Sequence, residues 1–503
     1  RNRQKRENRE LSRMGSFKVV FLLPAYFGSN HSLFLGVGYL AAAVKNRGHQ
    51  AIIIDEDAIT WIYAQPGTPD ALEQAQKRVL AEIETYNPDM LCVSINTANY
   101  KNALRLLRYV RNKFPEIFMV VGGPHISTCY DTFRSWHGDL FDAAIIGEGE
   151  VSLCTLIESL KAGQSEALIP GVCYAAGKSS GLTGSMVDIR KLPFPDRAAF
   201  FEIYDEAERA LAEENYARVF YSHLPGFENG HARVVASRGC YNHCTFCSPG
   251  VYWRDPQSLK PCRRLRDPES ILNEVESLLA SGIQAIYFDD PTFPIKSDLR
   301  FFTKFEAEIQ NRGLHFHWGA PICSSEVDGR ILDRLQKIGF SYTYFGLENN
   351  KEEHLKNFQK HQDIQQCLAL IDECKKRAIH CDASYQIGLP NETMEDIKRS
   401  VDWIFQNHIE RNTFYSITAI WPSTALAETY GVLPACYEPD YPKKVFEEKS
   451  GLFFYEQGDP VLEQFYSNCS GTYHFIPVEL AKEIKYYLFD CGLTNRFRKK
   501  NGI

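Results

Sequence analysis

Two series of short apolar runs, each alternating with helical periodicity, constrain the fold of this chain most. The first series holds five Val- and Ile-rich runs, "FKVVFLL", "AIIID", "MLCVSI", "FMVVGG" and "DAAIIG". Between them, "LEQAQKRVLAEIETY" places Ala75, Val79 and Ile83 on one helical face. Alternation of strand and helix predicts a doubly wound, Rossmann- or flavodoxin-like α/β sheet that binds ligands at the carboxyl ends of its strands.

The second series begins at "ARVVAS" and continues with "AIYFDD", "HFHWGAP", "SYTYFGLE", "HCDASYQIG" and "TFYSITAIW". Helices between these runs have predicted caps: Asp267 precedes Pro268 at one helix start, and Thr393 stands in capping-box spacing with Asp396. Six strands, each followed by a helix, predict a partial (β/α)6 TIM barrel, short of the eight strands that close one.

Five segments follow from this pattern: a basic arm at 1–16, an α/β domain at 17–162, a linker at 163–230, the partial barrel at 231–430 and a small, mainly helical cap at 431–503. The net charge is -7, and no Lys- and Arg-rich run is interleaved with aromatics, which disfavours nucleic acid as a partner. No apolar run reaches the roughly 20 residues that span a bilayer, and the arm does not resemble a secretory signal. Most of the 15 cysteines stand singly in apolar segments, which predicts a reducing, cytoplasmic setting.

Three cysteines lie together in "SRGCYNHCTFCSPG", at Cys240, Cys244 and Cys247. Iron–sulfur clusters are normally held by four cysteines, so three would leave one iron open to a small molecule. A zinc site completed by His243 or a distant residue is the alternative, since zinc accepts Cys3His sets. His243 adjoins Cys244, however, and would reach the same ion only under strain.

The motif "CYNHCTFC", with Phe246 before the third cysteine, resembles the signature of radical S-adenosylmethionine (SAM) enzymes. In that family the open iron of a 4Fe-4S cluster is chelated by the amino and carboxylate groups of SAM. The reduced cluster then cleaves SAM to a 5'-deoxyadenosyl radical. The resemblance implies that Phe246 lies near the adenine and that an external one-electron reductant, of flavodoxin or ferredoxin type, is a partner.

Further segments resemble the parts of that barrel that contact SAM. By this resemblance, Asp289 or Asp290 in "AIYFDDPTF" holds the ammonium of the methionine moiety, as two acids beside a cation would. Glu348 in "YFGLEN" lies near SAM. In "SYQIGLPNET", Gly388 and Pro390 let the backbone approach the adenine, and Gln386 is an expected SAM contact.

Two segments depart from the family pattern. Relatives often carry an arginine near "PICSSEV", where this chain has Cys323, Ser324 and Ser325; Ser324 is an expected SAM contact, but the group that binds the methionine carboxylate is left open. In "AIWPSTALAE", Ser423 replaces the glycine of the usual Pro-Gly-Thr.

The first domain resembles the cobalamin-binding domain of B12-dependent radical enzymes through "GVGYLAAAVKNRGHQAIIID", "VGGPHIS" and "AAIIGEGE". Glycines at its strand ends would admit the nucleotide tail without a side-chain clash. The expected cobalamin contacts are Ser94, Asn96, Gly122, Gly123, Pro124, His125, Gly147 and Glu148. A flavodoxin-like sheet for another ligand, or for none, is the alternative.

The chain lacks the Asp-x-His-x-x-Gly loop by which some cobalamin proteins supply a lower histidine ligand. Its His31 stands five residues before Gly36, so the spacing differs. We therefore expect a lower face without a histidine ligand.

The resemblance implies an enzyme that methylates an unactivated carbon of a small molecule or natural product through methylcobalamin and the 5'-deoxyadenosyl radical. Tyr415 and Trp421 are candidates for the substrate pocket. One alternative keeps both cofactors but carries out cyclisation or rearrangement without methyl transfer. Another, tRNA methylthiolation, is disfavoured because the first domain lacks a cysteine triplet, and a zinc-stabilised scaffold would not be an enzyme at all.

Overall fold

A computed structural model describes residues 15–26, 33–63, 70–164, 166–177, 186–217, 224, 226–228, 230–255, 258, 260–360, 362–455, 471–491 and 493. Almost all of the predicted basic arm, and His31, lie outside these residues. Within them, no helix combines the length and apolarity needed to cross a membrane.

The first domain is built on a six-stranded sheet. Its strands are β1 (Lys18–Leu23), β2 (Gln50–Asp55), β3 (Met90–Ser94), β4 (Phe118–Gly122), β5 (Ala143–Ile145) and β6 (Val172–Tyr174). They lie in the order β2-β1-β3-β4-β5-β6, parallel except for β6, which runs antiparallel to β5. The doubly wound sheet predicted from the sequence is confirmed, and its last strand comes from the segment predicted as a linker.

Helices cover both faces of this sheet, which is why its strands are apolar on both sides. The helices are α1 (Leu35–Lys45), α2 (Glu56–Tyr63), α3 (Ala71–Tyr86), α4 (Tyr100–Lys113), α5 (Pro124–His137) and α6 (Glu150–Lys161). One core layer packs α3, α4 and α5 against the sheet, and the other packs α1 and α6. The loops that follow β3, β4 and β5 all lie at the carboxyl edge of this sheet.

The second domain follows α7 (Glu206–Ala217) and contains a six-stranded, all-parallel sheet. In chain order, its strands and the short ladder β8–β9 are β7 (His231–Val234), β8 (Ser237–Arg238), β9 (Arg264–Leu265), β10 (Ala285–Phe288), β11 (His317–Pro321), β12 (Phe340–Glu348), β13 (His380–Ile387) and β14 (Thr413–Ile417). The sheet order is β14-β13-β12-β11-β10-β7. Six parallel strands in sequential order confirm the partial barrel.

Helices surround this sheet in the expected alternation. They are α8 (Pro249–Tyr252), α9 (Pro268–Ala280), α10 (Leu299–Asn311), α11 (Gly329–Lys337), α12 (Glu352–Asn357), α13 (Ile364–Lys376), α14 (Met394–Gln406) and α15 (Ala425–Thr429). The Thr393–Asp396 capping box forms as predicted. Pro268 opens α9, although the Asp267 side chain accepts no capping hydrogen bond.

The C-terminal cap combines α16 (Lys443–Ser450), the antiparallel pair β15 (Phe453–Tyr455) and β16 (Thr472–His474), and α17 (Val478–Asp490). Its Glu438 inserts into the first domain. There the buried carboxylate accepts a 2.5 Å hydrogen bond from Tyr100 Oη and lies 2.8 Å from His137 Nε2. The cap therefore contacts both preceding domains.

Candidate active site

A cavity of about 500 Å³ lies between the first domain and the barrel. One wall is the carboxyl edge of the first sheet, and the other comes from the barrel, including Tyr252, Trp253 and Asp289. Seven of the eight predicted cobalamin contacts line this cavity: Ser94, Asn96, Gly122, Gly123, Pro124, Gly147 and Glu148. The strand-end motifs thus meet at one place, as the parallel topology requires.

Glycines stand at the strand ends of the sheet-side wall, at Gly122, Gly123 and Gly147. Gly123 has φ +98°, and a Cβ there would lie 2.6 Å from the backbone oxygen of Ile95. Only glycine fits this position without moving the strand end. Glycines at the strand ends leave space for a large planar ligand, so the residues present fit cobalamin.

His125 is the one predicted cobalamin contact that lies elsewhere. It is buried, its ring centroid is 4.2 Å from that of Tyr100, and its Nδ1 lies 3.1 Å from Thr97 Oγ1. Burial lowers the pKa of His125 to about 3, so the ring is neutral. Its contacts are those of a core residue, and no histidine is found among the described residues that line the cavity.

A buried ion-pair network joins the two domains beside this cavity. Glu148 accepts hydrogen bonds from Arg238 at 3.0 Å and from both terminal nitrogens of Arg264 at 2.7 Å. Arg238 also pairs with Glu150 at 2.6 Å. Because Arg238 stands two residues before Cys240, the network fixes the cysteine loop relative to the first domain.

The three cysteines lie on one loop and are partly buried, free thiols. Gly239, at φ +86°, starts the loop where a Cβ would overlap the backbone oxygen of Cys262. The Thr245 amide donates to Phe358 O at 3.0 Å, which ties the loop to the segment after β12. Burial raises the pKa of Cys244 to about 11 and that of Cys247 to about 12, so binding a cluster would release protons. Three free thiols on one fixed loop are a donor set that fits an iron–sulfur cluster.

The two acids predicted to hold the SAM ammonium are in different environments. Asp290 is buried and accepts hydrogen bonds from the Ala236 amide at 2.8 Å and Ser237 Oγ at 2.7 Å. Burial raises its pKa to about 7. Asp289 lies in the wall of the cavity, with its side chain 42% exposed and 3.3 Å from Arg233. Asp289 is thus the more accessible of the two to a ligand.

Glu348 ends β12 inside the barrel with φ +62°. One carboxylate oxygen lies 2.8 Å from Lys360 Nζ, and the other accepts from Gln386 Nε2 at 2.7 Å. Gln386 Oε1 in turn accepts from Thr418. The carboxylate predicted to lie near SAM is therefore held by a neighbouring strand and by a lysine that the motifs did not identify.

The remaining predicted SAM contacts lie on three other segments of the barrel. Phe246 packs edge-on against Phe358, at a centroid distance of 4.9 Å. Gly388, at φ +70°, donates its amide to Glu392 at 2.6 Å. Ser324 is buried in the turn that follows β11.

A smaller cavity, of about 300 Å³, adjoins the first. Its lining includes Trp421, a candidate for the substrate pocket, and it shares Tyr26, Asn96, Pro124 and Tyr252 with the larger cavity. Tyr415, also a candidate for the substrate pocket, requires a correction. It is buried in the hydrophobic core of the second domain, and its ring centroid lies 5.7 Å from that of Tyr385. Side chains alternate between the two faces of a strand, and along β14 this places Tyr415 on the face that points away from the barrel interior.

Comparison with known proteins matches two family models to this arrangement. The B12 binding domain covers residues 32–157, and the Radical SAM superfamily covers residues 234–404. The chain is a B12-dependent radical SAM protein. The matches confirm the predicted fold class and the predicted cofactors: cobalamin, SAM and a 4Fe-4S cluster.

Relatives of this B12-dependent radical SAM protein carry out more than one reaction. An uncharacterized methyltransferase of Pyrococcus horikoshii is 24% identical over 78% of this chain and 77% of its own. An anaerobic magnesium-protoporphyrin IX monomethyl ester cyclase of Rubrivivax gelatinosus is 27% identical over 77% of this chain and 66% of its own. The radical SAM methyltransferase TsrM of Kitasatospora setae, solved with cobalamin and a 4Fe-4S cluster, aligns with a TM-score of 0.61 at 18% identity, over 82% of this chain and 74% of its own.

Sequence reasoning missed several residues of the radical SAM site. Lys360 stands in the polar run "NFQKHQD", which indicates a surface loop. Tyr26 and Tyr252 carry no motif, and both border the two cavities. Contacts between distant parts of the chain place Lys360 and the two tyrosines, and local patterns do not encode such contacts.

Proposed function

We propose that this protein methylates an unactivated carbon of a small molecule. The observation that carries the proposal is the shared wall of the two cavities. Tyr26, Asn96, Pro124 and Tyr252 border both, so a substrate beside Trp421 would face the cobalamin cavity directly.

The same substrate would also lie close to the cysteine loop. Ser248 and Tyr252, which follow Cys247 on α8, line the smaller cavity. A substrate there lies between the two cofactor sites, as a reaction that uses both cofactors requires. Bound together, the cofactors supply the radical that activates the carbon and the methyl group that replaces its hydrogen.

The chain's own residues bind and orient the substrate. Trp421 and the two tyrosines present rigid aromatic surfaces that exclude water, and Asn96 and Thr128 offer polar groups at the rim. Among the described residues that line the smaller cavity there is no charged side chain. The reacting part of the substrate is therefore expected to be uncharged.

The test uses anaerobically reconstituted protein, SAM deuterated in its methyl group, a flavodoxin-type reductant and a library of small molecules. A product that carries the deuterated methyl, formed together with S-adenosylhomocysteine and 5'-deoxyadenosine, supports methyl transfer. A transformed product without the label would instead support the cyclisation or rearrangement alternative. Trp421→Ala should lower turnover, while iron and cobalt content stay unchanged.

A further inference from the structure

Lys360 is a largely buried cation beside the predicted SAM contact Glu348. Its side chain is 17% exposed, and Nζ lies 2.8 Å from Glu348 Oε1. The ammonium also lies close enough to all three predicted cluster thiols to interact with them electrostatically. Burial alone would lower the pKa of Lys360, but the charge of Glu348 raises it, so the lysine stays protonated.

This ammonium is only partly satisfied by the described residues. A lysine has three N–H donors, and Glu348 is the side-chain acceptor that the described residues provide for Lys360. The second oxygen of Glu348 is already taken by Gln386. Because a buried charge is costly unless it is well paired, the remaining donors are available for an anionic ligand.

The turn after β11 supplies no such cation. It carries Cys323, Ser324 and Ser325, none of which is cationic. The ammonium of Lys360 interacts electrostatically with the Cys323 thiol, so it reaches the same region of the barrel from the segment after α12. The hydrogen bond between Thr245 N and Phe358 O holds the Lys360 segment against the cysteine loop.

We propose that Lys360 binds the methionine carboxylate of SAM, with Glu348 as its positioning residue. A protonated lysine and a carboxylate form a charge-assisted hydrogen bond, which is stronger than a neutral one. This inference rests on the proposed use of SAM by this chain.

The experiment measures equilibrium binding of SAM and of decarboxylated SAM to the reconstituted full chain. Wild type is compared with K360M, with K360Q, which keeps a donor for Glu348 without the charge, and with the control K351M. Lys351 is 38% exposed and pairs with Asp396 at 3.1 Å on the barrel surface. Loss of a hydrogen bond to a charged group should weaken SAM binding by about 10- to 100-fold in K360M and K360Q.

Decarboxylated SAM provides the decisive comparison because it lacks the group that Lys360 is inferred to bind. Its affinity should change much less than that of SAM in K360M and K360Q, and K351M should behave as wild type. The electron paramagnetic resonance signal of the reduced cluster, recorded with and without SAM, gives a second readout, and iron analysis shows that each variant keeps its cluster. If K360M lost its iron, K360Q would carry the comparison.

An equal loss for both ligands in K360Q would overturn the inference, since Lys360 would then only support Glu348. Unchanged SAM affinity in K360M would overturn it as well. Failure of wild type to bind SAM would be a different result, because it would contradict the proposed function itself.

Discussion

The cobalamin cavity and the predicted SAM site in the barrel differ in what defines them. In the sheet-side wall of the cavity, Gly122 and Gly123 leave space at the strand ends. In the barrel, Glu348 and Lys360 form an ion pair at 2.8 Å. Glycines at strand ends can be predicted from local motifs, whereas the pairing of a charged side chain depends on partners from distant parts of the chain.

The prediction with the largest expected effect concerns whether the iron–sulfur cluster and cobalamin bind independently of each other. A triple Cys240→Ala, Cys244→Ala and Cys247→Ala variant should lose about four irons per chain and keep its cobalt. Iron, sulfide and cobalt analysis after anaerobic reconstitution measures this. Cys491→Ala, a partly buried cysteine on the cap, is the control. Loss of cobalt together with iron would show that the two sites depend on each other.

The next prediction concerns the ion pairs that join the two domains. Arg238→Met leaves the Glu150 carboxylate and part of Glu148 buried without a partner, so the free energy of unfolding should fall by about 3 to 5 kcal/mol. Lys113→Met breaks an exposed pair with Glu84 and should cost about 0 to 1 kcal/mol. Denaturant unfolding curves compare them, and equal effects would contradict a structural role for the network.

Gly123→Ala tests the sheet-side wall of the cobalamin cavity. Gly48 is the matched control, since it also has positive φ, at +81°, but has open space where a Cβ would stand. Each substitution should lower the free energy of unfolding by roughly 1 to 2 kcal/mol, because alanine is strained in the left-handed backbone region. Gly123→Ala alone also displaces the strand end at Ile95, so it should bind less cobalamin, as cobalt analysis would show. Normal cobalt in both variants would mean that cobalamin does not rest on this wall.

The last prediction is a pH dependence on the barrel side. The pKa of Asp290, raised by burial to about 7, exceeds the unfolded value of about 3.9. The folded state therefore keeps a proton that the unfolded state releases, and this contribution to stability is lost as pH rises between about 4 and 7. The stability of wild type relative to Asp290→Asn should fall across that window. A flat difference would mean that Asp290 is ionised in the folded protein.

Most of the fold could be predicted from the sequence because both sheets are buried on both faces. Their strands are continuous apolar runs, and the helices between them are marked by caps such as Thr393. The segment before the barrel was harder: β6 is three residues long and carries no periodic pattern.

Site residues could be predicted where a motif fixes the backbone conformation. They were harder to predict where the position of a side chain matters. The glycines of the first domain line the cavity as expected. Tyr415 does not, because a side-chain period of two along β14 directs it outward, and the strand's register was not readable from the sequence. Lys360 was missed because a loop that folds back over Gly346 brings it to Glu348, so that its Nζ lies 2.6 Å from the place where a Cβ of residue 346 would stand.

Glu438 has a consequence for biosynthesis. Its carboxylate completes a hydrogen-bonded group with Tyr100, 338 positions earlier in the chain. The first domain emerges from the ribosome long before residue 438 is synthesised, so in the nascent chain Tyr100 and His137 lack this partner. The first domain to emerge is thus among the last to be completed, and a truncation before Glu438 would leave it open at the surface that the cap covers.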